Sequence, residues 1–298
     1  MEAQQNKNIK VKVVTDSNSG LSQKEAKELG IIVLPMPFTI DGEEFFEEIS
    51  ISQQEFYEKL KKNADVKTSQ PSRAQLKEVW DEALKDSDQI LFMPMTSGLS
   101  GTCGNAKIFA QEEYNGKVIV VDNKRISVNL KESVLEALTL LKEGKTAEQV
   151  KNYLEETSQK HSIYITVNAL KHLKKGGRIS PAAAALGAML NFKPILFSRG
   201  DNFEKFGIVM SMAHAKKKML QKVKEEFETI FAEEYNAGKM KVAVAHTQNE
   251  QEALKFAEEI RQALPKAKLE FVDPLSLSVS CHIGPGALAI SSFISCIK

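Results

Sequence analysis

The chain has 298 residues, of which 42% are hydrophobic and 27% charged, a composition typical of a globular protein large enough to enclose a ligand cavity. Its net charge of +1, from 40 basic and 39 acidic residues, gives no electrostatic basis for binding nucleic acid or an anionic membrane surface. The three cysteines lack C-x-x-C spacing, so we expect no disulfide framework. The N-terminus has no apolar signal segment and the small apolar stretch 182–190 is too short to span a bilayer, so we expect a cytoplasmic protein.

The first half of the chain alternates between strand-like and helix-like segments. Segments rich in β-branched or apolar residues predict strands at 9–15, 31–36, 90–95, 117–122 and 162–167. Four hydroxyl residues are each followed three positions later by Glu or Gln, the capping-box signature of a helix start: Ser22, Ser52, Ser72 and Thr146. A further helix is predicted over 132–144. This alternation indicates βα units and a largely parallel sheet covered by helices.

The second half is less regular. It predicts a strand at 193–198, a long charged helix at about 214–235 and one βαβ-like unit over 240–277. The Ala-rich segment 180–192 carries small side chains that could leave room for a ligand, although such segments are also simply well packed. We predict a domain boundary near residue 160, which separates an α/β domain over 1–160 from a second over 161–298.

A glycine- and hydroxyl-rich stretch, TSGLSGTCGNA (96–106), follows the predicted strand at 90–95. A strand, a glycine turn and a helix N-terminus together form a typical anion site, because the helix dipole and its free N–H groups favour negative charge. Ser97 and Ser100 could add hydrogen bonds, although both also suit an ordinary turn and N-cap. The P-loop string G-x-x-x-x-G-K-[ST] does not occur, and a nucleophile elbow, G-x-S-x-G, is missed by one residue because Thr102 stands at the last glycine.

Two further stretches contain residues without an assigned structural role. In KTSQPS (67–72), Ser72 is explained as a helix cap, whereas Thr68 and Ser69 are not. In KKGGRISP (174–181), Arg178 follows a glycine pair that permits a tight turn. An arginine held in this way suits a carboxylate or phosphate, and equally a surface ion pair.

Histidine and acidic residues give weaker signals. His282 lies beside Gly-Pro-Gly in an apolar context, where a structural hydrogen bond is its more usual role. Asp16 and Ser17 end the first predicted strand, at the sheet edge where α/β proteins usually bind ligands. The other four histidines lack the spacing of a metal motif, so no metal site is predicted.

The order of these motifs is more specific than any one of them. From residue 10 to about 292 the chain resembles the DegV family, the bacterial fatty-acid-binding subunits of fatty acid kinase. The resemblance is carried by VTDSNSGLS (14–22), TSQPS (68–72), TSGLSGT (96–102), KKGGRIS (174–180) and GPGALAI (284–290).

The resemblance implies a two-domain α/β fold with a long-chain fatty acid buried between the domains. It implies that the chain is not itself a kinase and presents the acyl carboxylate to a separate ATP-dependent kinase subunit, which makes an acyl phosphate for phospholipid synthesis. ATP and Mg would then belong to that partner, no cofactor would belong to this chain, and membrane contact would be transient, for lipid exchange.

The resemblance also implies roles for individual residues. Thr68 and Ser100 would bind the carboxylate, with Ser69 and Ser97 nearby. Arg178 and His282 would serve the phosphoryl-transfer step or the docking of the kinase.

Four residues depart from the usual family pattern: Gly20, Cys103, Gly104 and Asn123. They leave the preferred acyl chain, the cavity shape and the kinase partnership open. They keep open a lipid-sensing protein without a kinase partner, and the near-match to a nucleophile elbow keeps open a serine-type acyl hydrolase that uses Ser100.

Overall fold

The structure, a computed structural model, describes residues 9–186 and 192–297. Its strands are β1 (Val11–Asp16), β2 (Ile32–Leu34), β3 (Phe38–Ile40), β4 (Glu43–Phe45), β5 (Val66–Thr68), β6 (Gln89–Met93), β7 (Val118–Val120), β8 (His161–Thr166), β9 (Lys193–Ser198), β10 (Glu204–Val209), β11 (Met240–His246), β12 (Lys268–Pro274) and β13 (Leu288–Ile294). Its helices are α1 (Gln23–Leu29), α2 (Gln53–Lys61), α3 (Arg73–Ala83), α4 (Thr102–Glu113), α5 (Val128–Lys142), α6 (Ala147–Glu156), α7 (Lys171–Gly176), α8 (Pro181–Ala184), α9 (Met212–Glu228), α10 (Ala232–Asn236), α11 (Glu250–Ala263) and α12 (Leu277–Ile283).

The first sheet is parallel throughout and has the order β2-β1-β6-β7. Both of its faces are buried, because successive residues of a strand point to opposite sides. Val14 and Phe92 pack with Trp80 of α3, whereas Val13 and Leu91 belong to the large core on the opposite face. The predicted parallel sheet covered by helices is therefore confirmed.

The helices α1, α2, α3 and α6 begin as their capping boxes predict. In each, the Ser or Thr side chain accepts a hydrogen bond from the backbone N–H three residues later, and the Glu or Gln at that position bonds back. Each cap contributes about 1 kcal/mol to stability. Helix α8 begins with Ser180 as its N-cap and Pro181 in its first turn.

The second sheet is mainly antiparallel and has the order β10-β9-β8-β13-β11-β12. Only β11 and β12 run parallel, joined through α11, which confirms the predicted βαβ-like unit. The last strand, β13, inserts between β8 and β11 and is antiparallel to both. One face of this sheet packs on α9 and α11, and the other forms part of the large core.

Several elements differ from the predictions. Strands β3, β4 and β5 form a small antiparallel sheet that was not predicted, and neither were β10 and α12. The helix predicted at 132–144 begins earlier, at Val128, and the one predicted at 214–235 is divided into α9 and α10. Residues 187–191 of the Ala-rich segment lie outside the described residues.

The position of β1 determines where a ligand can bind. β2 lies on one side of β1 and β6 on the other, so the carboxyl ends of β1 and β6 form a topological switch point. The loops at 17–22 and 94–101 leave from this edge. The strands of the parallel sheet come from residues before 121 and those of the six-stranded sheet from residue 161 onward; the boundary near 160 stays a prediction.

Across residues 9–186 and 192–297, the structure contains no helix with the length and apolar character needed to cross a membrane.

Candidate functional site

A cavity of about 260 Å³ lies between the switch point of the parallel sheet and one face of the six-stranded sheet. Its interior is largely apolar. Polar side chains cluster where β5, the loop after β6, α7 and α12 approach one another. Five of the residues singled out in the sequence line this cavity: Thr68, Ser69, Ser100, Arg178 and His282.

Thr68 and His282 form a hydrogen-bonded pair at this polar end. Thr68 is the last residue of β5, and His282 lies in the last turn of α12; Oγ1 of the first is 2.8 Å from Nε2 of the second. Burial, followed by the positive charge of Arg178 and the nearby His172, lowers the pKa of His282 to about 4. The imidazole is therefore neutral at neutral pH, and its Nε2 can donate a hydrogen bond to Thr68 or accept one from it, depending on the tautomer.

Gly176, the last residue of α7, makes room for the His282 ring. A Cβ atom at this position would lie 2.0 Å from Nδ1 of His282, far inside van der Waals contact. Gly177 has a left-handed φ of 69° and ends the helix. The glycine pair therefore has two separate functions, contact with the imidazole and reversal of the chain.

Ser100 lies two residues before the start of α4. Its Oγ accepts a hydrogen bond from the backbone N–H of Thr102 at 3.2 Å and lies 2.9 Å from the hydroxyl of the same residue. The next residue, Gly101, also lines the cavity, and a Cβ there would lie 2.9 Å from Oε1 of Gln70. A side chain at this position would displace the exposed Gln70 amide, which marks the close approach of the loops at 68–70 and 96–101.

Arg178 links the α7 turn to the loop after β6. Its Nε donates a hydrogen bond to the carbonyl of Leu99 at 3.1 Å, and its Nη1 donates to the carbonyl of Gly176. These bonds fix the guanidinium at the cavity wall, where it places a positive charge near His282. Within the described part of the chain, Arg178 forms no ion pair with a carboxylate, so the surface ion-pair interpretation does not describe its geometry.

The two remaining serines are placed differently from each other. Ser69 is exposed at the cavity wall, and its backbone N–H donates to the carbonyl of Pro37 at 3.2 Å. Ser97 does not line the cavity: its Oγ accepts from Nζ of Lys124 at 2.5 Å and its N–H donates to Asp122 at 3.3 Å. The structure therefore does not bring Ser97 to the other site residues.

Asn18 and Ser278 line the cavity but were not identified from the sequence. The carboxylate of Asp16 accepts the backbone N–H groups of Asn18 at 2.9 Å and Met95 at 2.8 Å, and burial raises its pKa to about 7. The side-chain oxygen of Asn18 accepts the hydroxyls of Ser276 and Ser278. Asp16, singled out at the strand end, does not line the cavity. It holds the two switch-point loops in place through its hydrogen bonds.

The apolar interior includes Ile163, Ile165, Leu173, Ala245 and Ala289. The alanines leave space above the sheet that larger side chains would fill. None of the described residues of the Ala-rich segment, 180–186 and 192, lines the cavity, and the rest of this prediction falls outside the described residues.

The arrangement suits ligand binding more than hydrolysis. A serine nucleophile needs a base within hydrogen-bond reach, but the imidazole of His282 contacts Thr68 and the hydroxyl of Ser100 contacts Thr102. In the part of the chain that the structure describes, no group of three or more His, Cys, Asp or Glu side chains could hold a metal ion.

The residues that depart from the family pattern lie elsewhere. Cys103 is buried in the core beneath α4, Gly104 is on its exposed side, and Asn123 accepts a hydrogen bond from the N–H of Arg125. Gly20 ends the short turn after β1 with a φ of 75°. None of the four lines the cavity.

A family model described as "Uncharacterised protein, DegV family" matches residues 10–295. A DegV domain-containing protein from Clostridium perfringens is 31% identical over 289 residues, which cover 93% of this chain and 95% of that protein.

Two solved structures have the same fold. One, described as fatty acid binding of a DegV family protein from Thermus thermophilus, has a TM-score of 0.83, 30% identity, and coverage of 96% of this chain and 100% of that chain. The other, DegV from Bacillus subtilis, described as a fatty acid binding protein, has a TM-score of 0.82 and 28% identity, again with coverage of 96% and 100%.

Proposed function

The chain belongs to the DegV family, and we propose that its cavity holds a long-chain fatty acid whose carboxylate lies between Thr68 and Ser100. The observation that carries this proposal is the position of both hydroxyls at the polar end of one apolar cavity, beside the N-terminus of α4. The similarity to fatty-acid-binding structures supports the same ligand class.

The hydrogen bonds at the polar end leave donors for a carboxylate. If the neutral His282 carries its proton on Nε2, it donates to Oγ1 of Thr68, and the Thr68 hydroxyl proton can point at the ligand. Ser100 accepts from the Thr102 N–H, and if the Thr102 hydroxyl also donates to it, the Ser100 hydroxyl proton can point at the ligand. Two hydroxyl donors and a helix N-terminus compensate for the desolvation of the ligand's charge.

The apolar interior supplies the affinity for the acyl chain. Each buried methylene contributes about 0.8 kcal/mol, so burial of a long chain would retain the lipid through purification.

We further propose that the bound carboxylate is presented to a separate kinase subunit. In that reaction a carboxylate oxygen attacks the γ-phosphorus of ATP, the bond to the bridging oxygen breaks, and an acyl phosphate and ADP form for use in phospholipid synthesis. The absence of a P-loop string in the full sequence supports an ATP site on the partner. Use of ATP places the complex in the cytoplasm, with transient membrane contact for lipid exchange.

Arg178 and His282 are assigned to this transfer step or to kinase docking. The Arg178 guanidinium is fixed at the cavity wall by two backbone carbonyls, and such a group can stabilise the charge that develops on a transferred phosphoryl group.

Native mass spectrometry of gently purified protein tests the ligand assignment. We expect a mass increase equal to one fatty acid, or one that appears when palmitate or oleate is added. Protein that stays at its bare mass in the presence of both acids would refute the proposed function.

A further inference from the structure

The floor of the cavity is formed by alternate residues of three neighbouring strands. Ala289 and Ser291 of β13 face the cavity together with Ile163 and Ile165 of β8 and Ala245 of β11. Residues between them on β13 point to the opposite face of the sheet. Ser291 is therefore a hydroxyl on an otherwise apolar floor.

The Ser291 hydroxyl faces the cavity and not a polar group of the described chain. The residue is only 2% exposed and lines the cavity, yet its Oγ forms no side-chain hydrogen bond with any of residues 9–186 or 192–297. Its neighbour Ser292 points to the opposite face, and its hydroxyl is hydrogen-bonded to that of Ser162 at 2.8 Å. Because its Oγ faces the cavity, a ligand group that hydrogen-bonds to Ser291 would gain affinity over one that cannot.

Ser291 lies along β13, three residues beyond the start of the strand, which follows α12. Strand β13 begins shortly after His282, and its first residue, Leu288, pairs with Thr166 at the end of β8. Ser291 is three residues further along, a distance of about 10 Å at the rise of a strand. A fatty acid held at Thr68 and Ser100 would meet Ser291 with its chain and not with its carboxylate.

The surroundings of Ser291 favour a neutral partner over a charged one. On the same face of β11, beyond Ala245 and Ala243, Lys241 lies 2.8 Å from a buried carboxylate oxygen of Glu132. The fully buried Arg125 is likewise paired with Glu136 at 3.1 Å. Because both cations are already paired, a second carboxylate on the ligand would be buried without compensation, at a large energetic cost.

A second hydroxyl with the same properties lies on the adjoining wall. Ser127, at the N-terminal end of α5, lines the cavity and is buried, and its side chain caps no backbone group of the helix. Its backbone N–H donates to the carbonyl of Asn18 at 2.7 Å, which fixes the residue at the wall.

We propose that this cavity is adapted to a long-chain fatty acid that carries a hydroxyl group on its chain, with Ser291 as the residue that selects it. The proposal rests on the proposed function, because it takes the fatty acid and its orientation from there. A chain hydroxyl can both donate to and accept from Ser291, whereas an unsubstituted chain leaves the serine hydroxyl unsatisfied.

A competition experiment tests the selection. Lipid-free protein is mixed with equal amounts of stearic acid and either 10-hydroxystearic or 12-hydroxystearic acid, and native mass spectrometry gives the ratio of the two complexes. We expect wild-type protein to favour at least one hydroxylated acid by about tenfold, and Ser291→Ala to reverse or abolish the preference, because one such hydrogen bond corresponds to about a tenfold change in affinity.

Ser292→Ala is the matched control, since it removes a hydroxyl from the same strand on the face away from the cavity. It should keep the wild-type ratio. Equal binding of stearic acid and both hydroxylated acids by wild-type protein, or a preference that survives Ser291→Ala, would overturn this inference and leave fatty-acid binding intact. If none of the acids bound, the proposed function would fail together with the inference.

Discussion

The hydroxyl of Thr68 lies 2.8 Å from the imidazole of His282, although 214 positions separate the two residues in the chain. Thr68 comes from the small antiparallel sheet and His282 from the short helix α12, which packs against that sheet through Leu277 and Cys281. This contact joins the early and late parts of the chain at the polar end of the cavity.

Removal of the two cavity hydroxyls should weaken fatty-acid binding. Thr68→Val and Ser100→Ala each delete a donor to a charged oxygen, a bond worth about 1.5–3 kcal/mol, so each should raise the Kd for palmitate about tenfold or more. Isothermal titration of lipid-free protein measures the effect. Ser97→Ala is the control, because Ser97 binds Lys124 outside the cavity and its loss should leave Kd unchanged. Wild-type affinity in the Thr68→Val and Ser100→Ala double variant would exclude this carboxylate site.

The glycine pair permits a sharper test. In Gly176→Ala the new Cβ would overlap the imidazole of His282, so the ring must move and its bond to Thr68 should break. We expect weaker palmitate binding without loss of the fold. Gly177→Ala should behave in the opposite way, since nothing lies within 4 Å of its Cβ but its φ of 69° strains an alanine. That variant should lose about 1 kcal/mol of stability and keep its affinity. Equal affinities in the two variants would argue against the positioning of His282 by Gly176.

The titration of His282 should be displaced toward acid pH. Its pKa of about 4 lies below the ordinary value of 6.5, so the folded protein binds fewer protons than the unfolded chain between these values. The contribution of neutral His282 to stability is complete above about pH 6.5 and is lost as pH falls toward 4. NMR titration of the ring protons checks the pKa, and unfolding in urea at pH 7 and pH 5 should show a larger loss for wild type than for His282→Gln. A midpoint near 6.5 would contradict the buried environment.

Arg178 should affect phosphoryl transfer more than lipid binding. Arg178→Gln removes the positive charge, so we expect turnover with the partner kinase to fall about a hundredfold, in the range of a lost charge-stabilising group, while Kd for palmitate changes much less. The same variant should raise the pKa of His282, because the guanidinium is one cause of its depression. A normal turnover rate would show that Arg178 has neither role assigned to it.

Filling the interior should shorten the acyl chain that the protein accepts. Ala289→Leu places a larger side chain on the cavity floor, and overpacking of this kind costs about 1–3 kcal/mol for a ligand that needs the space. Native mass spectrometry with an equimolar mixture of C12 to C18 acids should show a shift toward the shorter ones. An unchanged distribution would place the acyl chain away from Ala289.

Local signals in the sequence were sufficient to predict the parallel sheet and its helix starts. The capping boxes at Ser22, Ser52, Ser72 and Thr146 depend only on residues three positions apart, so tertiary structure did not alter them. The loop after β6 was predicted as an anion site from its glycines and the helix N-terminus that follows them, and it lines the cavity through Leu99, Ser100 and Gly101.

Non-local features could not be predicted in the same way. The insertion of β13 between β8 and β11 joins strands that are distant in sequence, and α12 is too short to show helical periodicity. Ser97 and Ser100 are equivalent by composition, and only the position of Lys124 shows that Ser97 is engaged elsewhere. Asn18 lies inside a turn whose pattern explains it without a ligand, so its place at the cavity wall had no distinguishing signal.

A crystal structure of the protein with bound palmitate would test the central claim most directly. We predict that the carboxylate lies within hydrogen-bond distance of Oγ1 of Thr68 and Oγ of Ser100, with the acyl chain directed past Ala289 toward Ser291. A carboxylate at the Ser291 end, or a fatty acid bound outside this cavity, would contradict the assignment.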